Sequence, residues 1–430
     1  MSNRGQRESN LRYLRQCNIN FEDPLKKVAL QKLFVNSQVM LIYGAAGTGK
    51  TTLINYISNM MNQSKKLFLT KTHTALQNLE RRIENPGIDS DFISIDSFTK
   101  TITLTDYDIV FVDECSTIDN RTMKRLLEKI DESTLLVLAG DIYQIESIDF
   151  GNWFYYAKDI IKTDGANVEL LNTWRTDKKE LKGLWDEVRK IQPIITEKLA
   201  IDGPFSADIG EEIFISQDKD EIVLCLNYDG KFGLNNMNLY FQNANTKSEV
   251  YTWAEWTFKV GDPVIFLDTQ RSPLLYNNLK GRIVDISKRD SVILFTLDID
   301  TILTERQCRN ESFEFVDVTD FGTRIRLKVV ANDDELATEE ERIKTIIPFQ
   351  IAYAVSIHKA QGLEYNSVKI IIPSYNAEKI SHSIFYTAIT RAKEKLKIFW
   401  SAETMKTVVE SFDKEKNGQR TLELIEEKLK

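Results

Sequence analysis

Nine residues, Gly44-Ala45-Ala46-Gly47-Thr48-Gly49-Lys50-Thr51-Thr52, lie between an apolar, strand-like run from Gln38 to Tyr43 and a helix-like run from Thr52 to Met61. Gly44, Gly49, Lys50 and Thr51 occupy the fixed positions of the phosphate-loop pattern G-x-x-x-x-G-K-[ST]. The spacing has a physical basis. Glycines let the backbone curl until successive N–H groups point at one anion, and the N-terminus of the next helix adds partial positive charge. Lys50 is then placed to reach β- and γ-phosphates, and the Thr51 hydroxyl to ligate Mg²⁺. The alternative, a glycine-rich turn that binds nothing, is disfavoured by the strand–loop–helix setting.

Downstream, strand-like segments at Lys66–Thr70, Phe92–Ile95, Asp108–Glu114 and Thr134–Gly140 are separated mostly by helical stretches, which predicts a parallel, doubly wound sheet. Ile109-Val110-Phe111-Val112 is apolar throughout, as a strand covered on both faces must be. It runs into Asp113-Glu114, where a carboxylate at the end of a central strand would anchor Mg²⁺ and its neighbour would polarise the attacking water. The next strand ends in Gly140-Asp141-Ile142-Tyr143-Gln144, and a glutamine there can hydrogen-bond a γ-phosphate. A second α/β unit is expected from about residue 166, with strands at Val168–Leu171, Glu221–Leu226, Ile351–Val355, Val368–Pro373 and Leu396–Trp400. Between residues 236 and 345 alternating runs and tight turns predict a small all-β insertion. Taken singly, Gln144, Arg175, His358 and Arg391 are each compatible with an ordinary turn, core or surface role.

The chain of 430 residues has room for two to four domains. No run of 18 apolar residues exists, so no transmembrane helix and no membrane partner are expected. The basic N-terminus (Arg4, Arg7, Arg12, Arg15) lacks an apolar segment and is no secretory signal. Cys17, Cys115, Cys225 and Cys308 lie far apart, which argues against a zinc site and for a reducing cytoplasm. A net charge of −8 leaves nucleic-acid binding undecided, because six acids crowd between Asp333 and Glu341 and a local groove can still be positive.

The order of the motifs carries more weight than any one of them. The series Gly44–Thr52, Thr70–Leu79, Ser94–Phe98, Val112–Cys115, Gly140–Gln144, Trp174-Arg175, Ser356–Glu364 and Tyr386–Arg391 resembles a superfamily 1 helicase, in the RecD-like and Dda-like branch with a UvrD-like C-terminal domain. The resemblance implies two RecA-like P-loop domains and a small SH3-like β insertion in the second. It places an N-terminal ATP-binding domain at 1–165, a second RecA-like domain at 166–235 and 346–405, the insertion at 236–345, and a helical tail at 406–430.

It implies an ATP- and Mg²⁺-dependent motor on single-stranded DNA, moving 5′ to 3′. The first domain would supply catalytic Lys50, Glu114 and Gln144 with the Mg²⁺ ligands Thr51 and Asp113. The second would supply Arg175 and Arg391 across a cleft. ATP would be held by Gly44, Ala45, Ala46, Gly47, Thr48, Gly49, Lys50, Thr51 and Thr52, with Gly362 and Glu364. Thr72, His73, Ser97, Phe98, Ser356 and His358 would touch the strand, with Phe98 or His73 stacking on a base.

Three departures stand out. Leu25, in Phe21-Glu22-Asp23-Pro24-Leu25, occupies the place of an adenine-reading glutamine. Only Arg81–Asp91 and Thr99–Asp106 are available as a strand-separating wedge, and both are short, which points either to weak duplex separation or to a protein partner for separation or loading. Ile145-Glu146-Ser147-Ile148 replaces a proline-bearing sequence. The competing readings are a non-unwinding, nucleic-acid-activated ATPase switch, as in phage defence or a replication complex, and a motor on RNA.

Overall fold

The computed structural model describes residues 24–32, 34, 37–87, 89–100, 106–145, 151–161, 166–201, 203–246, 248–267, 271–331, 344–412 and 427. Arg4, Arg7, Arg12, Arg15, Cys17, residues 21–23, 101–105 and 146–148, the acidic run 333–341 and tail residues 413–426 lie outside the described residues. The chain divides into two compact units, one formed by 1–204, 377–394 and 402–430, the other by 205–376 and 395–401.

The first unit is built on β1 (Val39–Gly44), β2 (Lys66–Thr70), β3 (Ser90–Ser94), β4 (Ile109–Val112), β5 (Leu135–Gly140) and β6 (Asn167–Leu170), in the order β3-β2-β4-β5-β1-β6. Every pairing in it is parallel. β2, β4 and β5 are buried along their whole length, so their apolar runs do not alternate with polar residues. Successive residues serve opposite faces. Ile42, Phe68, Phe111 and Val137 pack with Leu53, Ile54 and Ile57 of helix Lys50–Met60. Leu41, Leu69, Val110 and Leu138 pack with Met123 and Leu126 of helix Asn120–Leu127 and with Phe154. Phe92, Phe68 and Phe111 stack across three strands at 4.4 and 4.8 Å.

The order places β5 between β1 and β4. The loops leaving the carboxyl ends of these three strands, and of β6 beside β1, therefore emerge side by side. Asp119 caps the helix after β4 by accepting the Thr122 amide at 2.8 Å.

The second unit contains β7 (Ser206–Ala207), β8 (Glu221–Cys225), β9 (Val250–Trp253), β10 (Trp256–Lys259), β11 (Pro263–Phe266), β12 (Lys280–Arg289), β13 (Val292–Ile299), β14 (Glu314–Thr319), β15 (Gly322–Val330), β16 (Phe349–Ile351), β17 (Ala354–Ser356) and β18 (Tyr365–Ile371). β19 (Ala392–Phe399) begins in the first unit and ends in the second. One sheet runs β17-β8-β18-β19-β7, with parallel pairing of β8 to β17 and β18 and of β19 to β7. A separate antiparallel sheet runs β14-β15-β13-β12-β11-β16, over a core in which Phe258, Phe266, Phe295 and Phe349 meet edge-on.

Two expectations are corrected. The segment near Val168 is not a strand of the second α/β unit. It pairs with β1 from Leu41↔Asn167 to Gly44↔Leu170, and Leu170 is fully buried in the first core. Residues 166–204 and 377–394, and with them Arg175 and Arg391, accordingly group with the phosphate loop, although the sequence reading placed them in the second domain. The expected strand Ile351–Val355 is also two strands. β16 closes the antiparallel sheet against β11, and β17 joins the parallel one against β8.

Candidate nucleotide site

β1 delivers the chain into the phosphate loop at Gly44, and helix Lys50–Met60 leaves it. Gly47 (φ 74°) and Gly49 (φ 84°) take the left-handed conformation that side chains disfavour, which closes the curl. The Thr48 hydroxyl donates to the Ala45 carbonyl at 2.9 Å. Lys50 Nζ spans the loop, donating to the carbonyls of Gly44 at 2.8 Å and Ala45 at 3.0 Å.

Opposite the lysine, the Thr51 hydroxyl donates to Asp113 Oδ2 at 3.0 Å. Asp113 is buried and its pKa is pushed up to about 6, first by burial and then by the Glu114 carboxylate; the Glu114 amide, Lys50 and Thr51 oppose the shift. Glu114 itself has φ 54°, an unusual value for a residue with a side chain. Asp141 is fully buried and burial raises its pKa against the pull of Lys50; it accepts the Tyr143 amide and Gln144 Nε2, each at 3.1 Å. Among the described residues no cluster of three or more His, Cys, Asp or Glu is placed to hold a metal. A P-loop Mg²⁺ needs none, because phosphate oxygens and water complete its shell. A hydroxyl in contact with a buried carboxylate whose ionised form is disfavoured suits a divalent cation.

Both candidate arginines meet this loop's surroundings. Thr173 donates its hydroxyl to Ala46 at 2.8 Å and the Trp174 amide donates to Gly47 at 2.7 Å, so the segment after β6 is laced to the loop. A Cβ on Gly47 would lie 2.3 Å from the Arg175 Cβ, which leaves glycine as the residue that fits. Arg175 Nη1 donates to the Thr390 carbonyl at 2.8 Å. Arg391 is 1% exposed, with Nε donating to Thr387 O at 2.9 Å and Nη2 to the Thr390 hydroxyl at 3.2 Å. Thr387 in turn accepts the Ile145 amide at 2.9 Å, next to Gln144. Loop, acids, glutamine and both arginines thus occupy one unit, whereas the resemblance implies that the arginines come from a second domain across a cleft.

Comparison with known proteins bears on the family. Residues 26–201 match the AAA domain family and residues 351–398 match the UvrD-like helicase C-terminal domain. The RecBCD enzyme subunit RecD of Buchnera aphidicola (subspecies Acyrthosiphon pisum) is 23% identical, over 89% of this chain and 72% of the relative. These matches support a superfamily 1 helicase of the RecD type. Pif1 helicase from Candida albicans shares the fold with a TM-score of 0.54 at 16% identity, over 91% of this chain and 98% of that one. Bacteroides Pif1 bound to single-stranded DNA gives 0.53 at 16%, over 90% and 94%.

The remaining candidate residues fare unequally. Thr72 caps helix His73–Arg82 by accepting the Ala75 amide at 3.2 Å, and His73 beside it is exposed. Ser97 is exposed, but Phe98 is a correction. Its ring is 3% exposed on the inner side of helix Ile95–Lys100, against Tyr107 at 6.4 Å and under Lys129 Nζ, so it cannot stack on a base. Leu25 packs on the first core. In the second unit, Ser356 is buried and accepts the Lys359 amide at 3.2 Å, shaping the turn that leaves His358 exposed. Gly362 (φ 79°) and Glu364, whose carbonyl accepts Lys280 Nζ at 3.1 Å, follow on that turn. Among the described residues no helix is long and apolar enough to cross a membrane.

Proposed function

We propose that this helicase is an ATP-driven motor on single-stranded DNA, moving 5′ to 3′, with two RecA-like domains and an SH3-like β insertion. The observation that carries the nucleotide chemistry is the packing of Arg175 directly on Gly47 of the phosphate loop, in the unit that also holds Lys50, Thr51 and Asp113. Lys50 neutralises β- and γ-phosphate charge; Thr51 and Asp113 would hold Mg²⁺, which would supply screening of phosphate charge. Glu114 polarises the attacking water, Gln144 orients it, and Arg175 and Arg391 stabilise charge on the transferred group. Gly362 and Glu364 add nucleotide contacts. Thr72, His73, Ser97 and His358 hold the strand. The solved Pif1 with bound single-stranded DNA supports that substrate, and the naming of the Buchnera relative as a subunit supports a protein partner for loading or separation.

The test is hydrolysis of ATP with and without single-stranded DNA or RNA, followed by unwinding of forked duplexes of both polarities. DNA-stimulated turnover with displacement from the 5′ tail is expected. Stimulation by RNA alone overturns the substrate, and translocation without displacement favours a switch or helper role.

A further inference from the structure

Tyr386, on helix His382–Ile389, is fully buried. Its ring lies edge-on to Tyr143 at 6.2 Å and stacks on His382 at 6.4 Å. Asp141, Arg189 and Arg175 act on its hydroxyl through space, and the Ala46 amide of the phosphate loop faces the phenol oxygen. An amide offers a proton and takes none. Among the described residues nothing closes a hydrogen bond of good geometry with the hydroxyl.

A buried polar proton without an acceptor costs about 1–3 kcal/mol, and folded proteins keep few of them. Phenylalanine would fill the same space without that cost. What the site lacks is an acceptor, and phosphate oxygens are acceptors only. Ala46 is the third residue of the loop; its carbonyl accepts the Thr173 hydroxyl, and Asp141 and Arg175 act on the same phenol that its amide faces. The terminal phosphoryl group is the part of the ligand that meets those residues.

From this placement we infer that Tyr386 donates its hydroxyl proton to a γ-phosphate oxygen, making it a further substrate-contacting residue that distinguishes triphosphate from diphosphate. The inference rests on the phosphate-loop reading above. Because Tyr386 shares its helix with Thr387 and lies five residues before Arg391, this contact ties recognition of the γ-phosphate to the segment that carries the second arginine.

The experiment compares the full-length wild type with Tyr386→Phe. It measures the thermal midpoint without nucleotide, and the affinities for Mg·ADP and for Mg·ATPγS as a slowly hydrolysed triphosphate. The midpoint should hold or rise, since a buried hydroxyl whose proton has no acceptor is removed. ATPγS binding should weaken about 10- to 100-fold, as expected for one hydrogen bond to a charged group, and ADP binding should stay within about twofold. Equal loss of both ligands, or loss of neither, overturns the role of Tyr386. Lys50→Ala is the control. If it binds both nucleotides as the wild type does, the phosphate-site reading fails as well, an outcome separate from an unaltered triphosphate preference in Tyr386→Phe alone.

Discussion

The Thr51 hydroxyl and Asp113 Oδ2 are 3.0 Å apart, although 62 residues separate them in the chain. One leaves the phosphate loop and the other ends β4, with β5 between their strands. Their contact marks where a cation would sit, and it makes the site sensitive to pH.

Asp113 titrates near 6 in the folded chain against an ordinary value of 3.8. A folded pKa above the unfolded one means that the native state holds the proton more tightly between these values, so nucleotide-free stability falls as pH rises through that window. The cost at pH 7.5 is about 3 kcal/mol. Asp113→Asn should therefore be the more stable protein at pH 7.5, with the gap narrowing below pH 6 and closing near 4. Denaturation midpoints at several pH values check this. In the wild type, Mg²⁺-dependent nucleotide affinity should fall below pH 6 as the carboxylate is protonated.

Gly47→Ala places a methyl 2.3 Å from the Arg175 Cβ, at a φ of 74° that alanine disfavours. The segment carrying Arg175 must move away from the loop. A loss of roughly 1–3 kcal/mol in stability and at least about 100-fold in ATP turnover is expected. Wild-type turnover in this variant would mean that Arg175 has no role at the loop.

Arg391→Ala should leave nucleotide binding largely intact and reduce turnover by about 10³-fold, in the range of arginine fingers. Because the guanidinium is 1% exposed and bonded to Thr387 and Thr390, some loss of thermal stability should accompany it. Single-turnover rates with nucleotide prebound separate the two effects; an unchanged rate per bound nucleotide would remove Arg391 from the chemistry.

Phe98 and His73 separate folding from strand binding. Phe98→Ala should cost about 3–5 kcal/mol of stability, as buried aromatics do, while Phe98→Leu leaves DNA affinity within about twofold. His73→Ala should weaken single-strand binding about tenfold, the loss of one stacked base, with little change in stability. The reverse pattern would return Phe98 to the DNA surface.

Much of the site was legible in the chain because its requirements are local. A loop that wraps phosphate needs glycines at Gly47 and Gly49 and a cation at Lys50, and a metal ligand needs a carboxylate where an apolar strand such as Ile109–Val112 ends. Phe98 was misread because one exposed and one buried face alternate on a short helix, and Ser94–Phe98 alone does not say which face meets the core. Tyr386 was quoted within its motif and given no role. Nothing in its neighbours reveals an unpartnered hydroxyl, which arises only when Ala46, Asp141 and Arg175 close around it.

The sequence by itself determined that this chain carries a phosphate loop with its acidic partner, and that short apolar strands would build parallel sheets around them. Spacing and side-chain type suffice for that, since each is satisfied within a few residues. Only the tertiary structure decided that Asn167–Leu170 joins β1, that residues 349–356 divide between two sheets, and that both arginines belong with the loop. A short strand of mixed composition, such as Asn167–Leu170, fits either of two sheet edges, and hydrogen bonding between residues far apart in the chain makes the choice.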